Sequence, residues 1–482
     1  MKTDRKNIIW VLLTVLVFIL IDGYFIAHKN LYFNLVPFVL IVILFTIFSL
    51  DKTILLITFF VPISIPLRTF YPDLGIDMYL PTEPLMVGVL ILFLLKILKE
   101  RTFDKKVLIH PVSITIYFSL FWILITSFTS TMPIVSLKFF LSRIWFLVSF
   151  YFLATQLFKN PKNFKLFLAL YFVAFLIAIG YTLKNHLSYG LFDQEAANFV
   201  CSPLYNDHTA YGAALAIAIF GILGIIFDNK IKGIWRIISL VIFGIFIFAI
   251  IFSYSRAAWL SVFVAVVVLI LILFKIKFKI VAFLSLILIV VGSLIYNQLM
   301  NDLEKNRQDS SSDFAEQLQS MTNISTDASN VERLNRWSCA VRMFEKKPIF
   351  GWGPGTYMFQ YAPFQLSYEK TIISTNEGDR GNAHSEYLGP LAESGVLGMV
   401  YMLLIAVFAM ITGLRAYKYA VNKEIKILTL FTLLGLVTYL VHGFLNNFLD
   451  SDKLSALFWG SIAFLVVADI YFTKKPDKQI EE

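Results

Sequence analysis

Charge is scarce in this chain. Asp, Glu, Lys and Arg make up 15% of its 482 residues, against about 25% in soluble domains, so most of the molecule cannot face water. Cysteine is scarcer: only Cys201 and Cys339 are present. They form no metal-ligand spacing, and a disulfide between them stays open with nothing else to support it. No HExxH pair, GxSxG elbow or Asp/His cluster occurs, so no metal site and no cofactor are expected. What abounds is apolar: 58% hydrophobic residues, 48 of all residues being Phe. The chain reads as a polytopic membrane protein.

A span needs about 17–25 apolar residues. Fourteen stretches qualify or nearly so: 8–27, 31–49, 52–66, 82–98, 112–129, 136–157, 163–183, 209–227, 234–252, 257–274, 278–296, 396–414, 425–445 and 454–472. The third is short, carries Pro62 and Pro66, and reads as re-entrant, which leaves 12–14 crossings. MKTDRKN before the first run resembles a signal peptide, but no small-x-small cleavage site follows, so the run is expected to be a retained span.

Net charge of +9 suggests nucleic acid, and the placement of the charges rejects that partner. With the N-terminus in the cytoplasm, most basic residues fall at cytoplasmic ends, among them Lys99, Arg101, Lys105, Lys162, Lys232, Lys277, Arg415 and Lys475. The short outer loops hold only Lys29, Arg68, Lys184, Arg256 and Lys453. That asymmetry orients a membrane protein, with both termini cytoplasmic. It leaves one long extracytoplasmic loop, 297–395, whose first part is polar and Ser/Asp/Asn-rich and is expected to lack its own order. In the second part Trp337, Ala340 and Phe344 have helical spacing ahead of Pro348, predicting a short amphipathic helix. The expected organisation is 1–204 and 205–296 as transmembrane helices, 297–395 as the loop, and 396–482 as the last spans and tail.

Candidate chemistry gathers on the outer side. Arg256 in SYSRAAWLS is either an arginine snorkelling to headgroups or a bidentate phosphate partner. Arg333, Arg336 and Trp337 share one helical face, an ordinary charged face or a diphosphate clamp. GWGPGTY, with Gly353 at its centre, lacks the strand and helix of a dinucleotide fingerprint and reads as a tight turn that exposes its backbone. Arg143 lies inside a span, a position that is functional by default. His384 precedes a span, with Glu386 and Glu393 beside it; His28, His186, His208 and His442 are also outer-side histidines. His208, with Asn206 and Asp207, opens a span where a substrate can meet it.

In this order, SRAAW (Ser255–Trp259), RLNRWSCAVRMFEKKPIFGWGPGTY (Arg333–Tyr357) and HSEYLGPLAESGVLG (His384–Gly398) resemble the O-antigen ligase and polymerase superfamily of bacterial membrane glycosyltransferases, over roughly residues 205–470. The resemblance implies an all-α bundle of about a dozen spans capped by a helical periplasmic loop, in the bacterial inner membrane. It implies transfer of a glycan from undecaprenyl diphosphate to an acceptor hydroxyl without metal or nucleotide sugar. The acceptor is lipid A–core for a ligase and another lipid-linked glycan for a polymerase. His384 matches the family histidine, and Arg256 and Arg333 match its arginines. Arg336, Arg143, Glu386, Gly353 and His208 complete the expected substrate-binding set, with membrane lipids as surroundings. A transporter or flippase is the alternative from another class. It gives the outer loop no role, and no inverted repeat is evident.

Overall fold

The structure is a computed structural model that describes residues 5–28, 49–71, 78–100, 103–276, 328–367, 369–370, 374 and 381–474. The candidate spans 31–49, but for residue 49, and 278–296 and the polar stretch 297–327 lie outside the described residues. Residues 1–53 and 54–482 form two compact units. The first contains α1 (Arg5–Ala27).

Among the described residues nine helices are long and apolar enough to cross a membrane: α4 (Pro111–Phe128), α5 (Pro133–Leu157), α6 (Pro161–Tyr189), α7 (His208–Ile226), α8 (Ile234–Ile251), α9 (Arg256–Leu273), α11 (Leu388–Lys418), α12 (Lys423–His442) and α13 (Asp452–Tyr471). The chain is thus a polytopic all-α protein. Local sequence sets the helix starts. Asp207 caps α7 by accepting from the Thr209 and Ala210 N–H groups, and Asn422 accepts from Ile425 N–H. Asn160 caps α6 with Pro161 at its first position, where a missing N–H costs nothing.

The apolar run 52–66 does not make a crossing helix. Helix α2 (Leu50–Phe60) has 11 residues, about 16 Å of rise, well short of a ~30 Å hydrocarbon core. Pro62 ends it in a tight turn, and Ile65–Pro66 pairs antiparallel with Tyr79–Leu80 before α3 (Thr82–Glu100). The turn is locked from inside the bundle: the buried Lys453 ammonium donates to the carbonyls of Val61 (2.6 Å) and Ser64 (2.7 Å). Its neighbour Asp452 accepts from the hydroxyls of Ser64 (2.7 Å) and Thr82 (2.6 Å).

Burial sorts the helices. Most of α7, α12 and α13 is buried, whereas α8 and α9 bury 22% of their apolar windows. The rest of those two helices presents Ile237, Val241, Phe263 and Ile270 outward, which suits lipid better than water. One end of the bundle gathers the starts of α7, α9, α11 and α13 and the end of α12. There α10 (Ala328–Lys346) lies against α11. Its buried stripe is Glu332, Asn335, Arg336, Cys339, Ala340 and Met343. The expected stripe shared only Ala340 with it, Trp337 and Phe344 being half-buried. Polar residues enter the stripe because they satisfy one another: Arg336 Nε meets Glu332 at 2.6 Å and Asn335 donates to Gln365 at 3.0 Å.

Candidate functional site

A break in α11 organises the loop. Gly395 has φ 69° inside the helix, a conformation glycine adopts without steric cost. The break frees the carbonyls of residues 392–394, and each finds a donor: Trp352 N–H on Ala392 (3.1 Å), Gly353 N–H on Glu393 (2.8 Å) and the Trp122 indole on Ser394 (2.7 Å). The glycine-rich turn is therefore a docking element. At Gly353 (φ 116°) a Cβ would sit 1.9 Å from Ser130 Oγ. Its N–H is committed to Glu393, so the residue sits in a packed seam and offers no N–H to a ligand.

The same docking fixes His384. Its φ is 47°, uncommon for a non-glycine residue and often found where surrounding contacts hold a functional group. Its N–H donates to Asn382 Oδ1 (3.0 Å) and its carbonyl accepts from the Trp337 indole (3.2 Å). Two residues on, the Glu386 N–H donates to the Gly443 carbonyl (2.7 Å), and the Tyr387 hydroxyl to Leu440 (3.0 Å). Glu386 Oε1 accepts from the Tyr439 hydroxyl (2.6 Å) and the N–H groups of Phe448 (2.8 Å) and Leu449 (2.9 Å). The Glu386 carboxylate thus clamps the His384 segment to the turn between α12 and α13. It holds the site together, and the same residue lines the cavity behind the segment.

Around His384 the chain folds four distant segments together. The α8–α9 turn brings Arg256. It is locked by the Trp259 indole on Ile250 O (2.8 Å), with Tyr254 at φ 50°. Gly212, one turn into α7, leaves room for Ser255, whose Cβ would be 2.7 Å from a Cβ there. That close approach sets Arg256 beside His208, which Asp207, Arg333 and Arg256 all reach electrostatically. From α10, Arg333 Nε donates to Leu445 O (3.3 Å). From α12, His442 lies within electrostatic reach of Arg333 and Asp207, and the Asn446 amide lies 3.2 Å from its Nε2. Asn446 also lies close to His384. Burial lowers the His384 pKa to about 4, with Arg333 and then Arg336 lowering it further by repulsion. The imidazole is therefore neutral at pH 7.

The expected residues divide in two. His384, Arg256, Arg333 and His208 come together, and Arg336 joins them from behind. Its guanidinium is buried over the Tyr361 ring (3.9 Å) and paired with Glu332. Arg143 stands apart, donating to Leu449 O (3.2 Å) and Asp450 (3.1 Å). Asp207, named beside His208 in the sequence, is a member too; His442 and Asn446 are members that sequence reasoning did not single out, and their signal was an i, i+4 His/Asn pair ending an apolar helix. Several buried polar atoms of the cluster have no hydrogen-bond partner: Nδ1 of His208, His384 and His442, Oγ of Ser255 and Nη1 of Arg336. Buried polar groups are nearly always satisfied, so these atoms make the cluster a candidate site for a polar ligand. Among the described residues no group of three or more His, Cys, Asp or Glu is placed to hold a metal ion.

No curated protein matches the chain significantly. Residues 241–403 match the family model described as O-antigen ligase. The match spans Arg256, Arg333, Arg336, His384 and Glu386, and stops short of Arg143, His208, His442 and Asn446. Through this segment, about a third of its length, the chain is similar to the O-antigen ligase family, and the match supports an enzyme of the glycan-joining ligase or polymerase type in an all-helical membrane bundle.

Proposed function

We propose that this chain is an O-antigen ligase-like transferase. It moves a glycan from undecaprenyl diphosphate to a hydroxyl of lipid A–core, at the periplasmic face of the bacterial inner membrane. The observation that carries the reading is the meeting of Arg256, Arg333 and a neutral His384, with buried polar atoms around them left unpartnered. The acceptor oxygen attacks the anomeric carbon, and the bond from that carbon to the diphosphate oxygen breaks with its electron pair. Charge develops on the diphosphate, where fixed guanidinium groups stabilise it most and match its oxygens bidentately. The acceptor proton passes to His384, a step that contributes about 10²–10⁴-fold. A bound diphosphate offsets the repulsion from Arg333 and Arg336, raising the basicity of His384 only when donor is present. No metal takes part in this scheme.

The orientation rests on the basic residues at one end of the bundle, with the site at the other. A reporter fused after Lys474 that is active only outside the cytoplasm would overturn it. For the activity, the purified chain in nanodiscs receives lipid-linked glycan with lipid A–core, or with more lipid-linked glycan. One en bloc addition to lipid A–core, unaffected by EDTA, is expected. A product ladder without lipid A–core would make it a polymerase, EDTA sensitivity would refute the metal-free step, and no product in either mixture would refute the reading.

A further inference from the structure

Behind the His384 segment lies a cavity of about 100 Å³, several times the 10–15 Å³ that one water occupies. Asn382, Ala383 and Glu386 form part of its wall, so residues flanking the histidine separate it from the arginine cluster. Its rim carries Arg143, Asp450 and Asn447, and its depth is apolar, with Ile123, Met402 and Ile405. Two buried polar atoms of lining residues have no hydrogen-bond partner. One is the indole N–H of Trp459, a residue 2% exposed; the other is Asn447 Oδ1. The first needs an acceptor and the second a donor. Asp450 is half exposed and holds Arg143 at 3.1 Å. Glu386, Glu393 and Asp450 against a single arginine make this side unfavourable for an anion, in contrast to the arginine cluster.

We propose that this cavity is the subsite for the acceptor, taking the edge of the neutral, polyhydroxylated sugar ring that carries the attacking hydroxyl. A hydroxyl both donates and accepts, so one ring can satisfy Asn447 and Trp459, and adjacent hydroxyls can bridge to Asp450. The aromatic faces of Tyr401 and Trp459 offer apolar surface to its C–H face. Charge keeps the two substrates apart: the diphosphate goes to the arginines, the sugar to the carboxylates, and His384 stands between them to take the proton. The inference rests on the transfer reading above and deepens it.

The test uses the full chain in nanodiscs. In saturation-transfer NMR the probes are methyl glucoside, methyl galactoside and methyl N-acetylglucosaminide. At least one is expected to bind, with its signal lost in Asn447→Leu and weakened in Trp459→Phe, which keeps the ring and removes only the N–H. In transfer with core oligosaccharide as acceptor, Asn447→Leu is expected to raise the acceptor KM about tenfold or more and Trp459→Phe about three- to tenfold, with donor KM unmoved. No sugar signal from the unmodified chain, a signal unchanged in both variants, or a donor KM rising in step with the acceptor KM would overturn the subsite. A chain that binds sugar in this asparagine-dependent way but transfers nothing would refute the transfer reading and keep the sugar site.

Discussion

The two ends of the helix bundle use charge in opposite ways. At the end away from His384, acids and bases close on one another. Lys165 lies between Asp228 and Glu424, which also takes Lys230 at 2.6 Å. Asp104 meets Lys159 at 2.5 Å and the Tyr471 hydroxyl, and Asp469 joins Arg415 to His110. These groups tie helix ends together, which is a structural use. At the His384 end, Arg256 and Arg333 converge with His208, His384 and His442, and buried polar atoms stay without partners. Networks that satisfy themselves stabilise; networks left incomplete are prepared for a ligand.

Mutations break this comparison in a definite order. The largest effect is expected from His384→Asn, since asparagine tolerates positive φ and leaves the fold intact. The kcat for transfer should fall about 10²–10⁴-fold with an unchanged melting temperature. Activity near that of the unmodified chain would remove His384 from the chemistry. Next, Arg256→Lys and Arg333→Lys keep charge but lose the planar fork, and each should lower kcat/KM for donor by about 10–10³-fold. The same replacement at Arg415, in the closed network, should change kcat/KM less than about twofold. Equal losses at both ends would erase the distinction drawn here.

The pH profile sharpens it. Because the His384 pKa is lowered to about 4, protonation removes the base only as pH falls through that value. The kcat/KM measured on free enzyme should therefore hold from pH 8 to pH 5 and drop near about 4. A limb near 6.5, the ordinary histidine value, would mean the ring is solvated in the free enzyme. Gly353→Ala tests the docked turn: Cβ contact with Ser130 plus positive φ should cost about 2–4 kcal/mol, read as a lower melting temperature. The smallest effect belongs to Lys159→Ala, which opens a partly exposed pair and should cost under about 1 kcal/mol.

The lesson for reading such sequences lies in particular residues. Arg256, Arg333 and His384 were legible because each sits in a short local pattern and the patterns follow one order. Gly353 was legible as a turn residue, while its partner, the kink at Gly395, appears only when α11 is seen to break. Glu386 was legible as a residue beside His384; the three donors it clamps come from residues 439–449, which no local window contains. His442 stayed one outer-side histidine among several, since its significance comes from Arg333 and Asp207, both more than 100 positions away. The run 52–66 was legible as a short, proline-bearing re-entrant stretch, while the turn that Lys453 holds closed appears only in the tertiary structure.

By itself, the sequence determined the all-helical membrane class and the uneven placement of basic charge, because transfer to lipid is additive over residues and needs no partner. It also determined the order of the motif-bearing residues, a property of the chain alone. Tertiary structure decided which charges close on one another, what locks the turn after the third apolar run, and that His442 and Asn446 join His384 while Arg143 faces a separate cavity. Those outcomes depend on which distant segments share a few ångströms, and hydrogen bonds and Coulomb interactions act only at such distances.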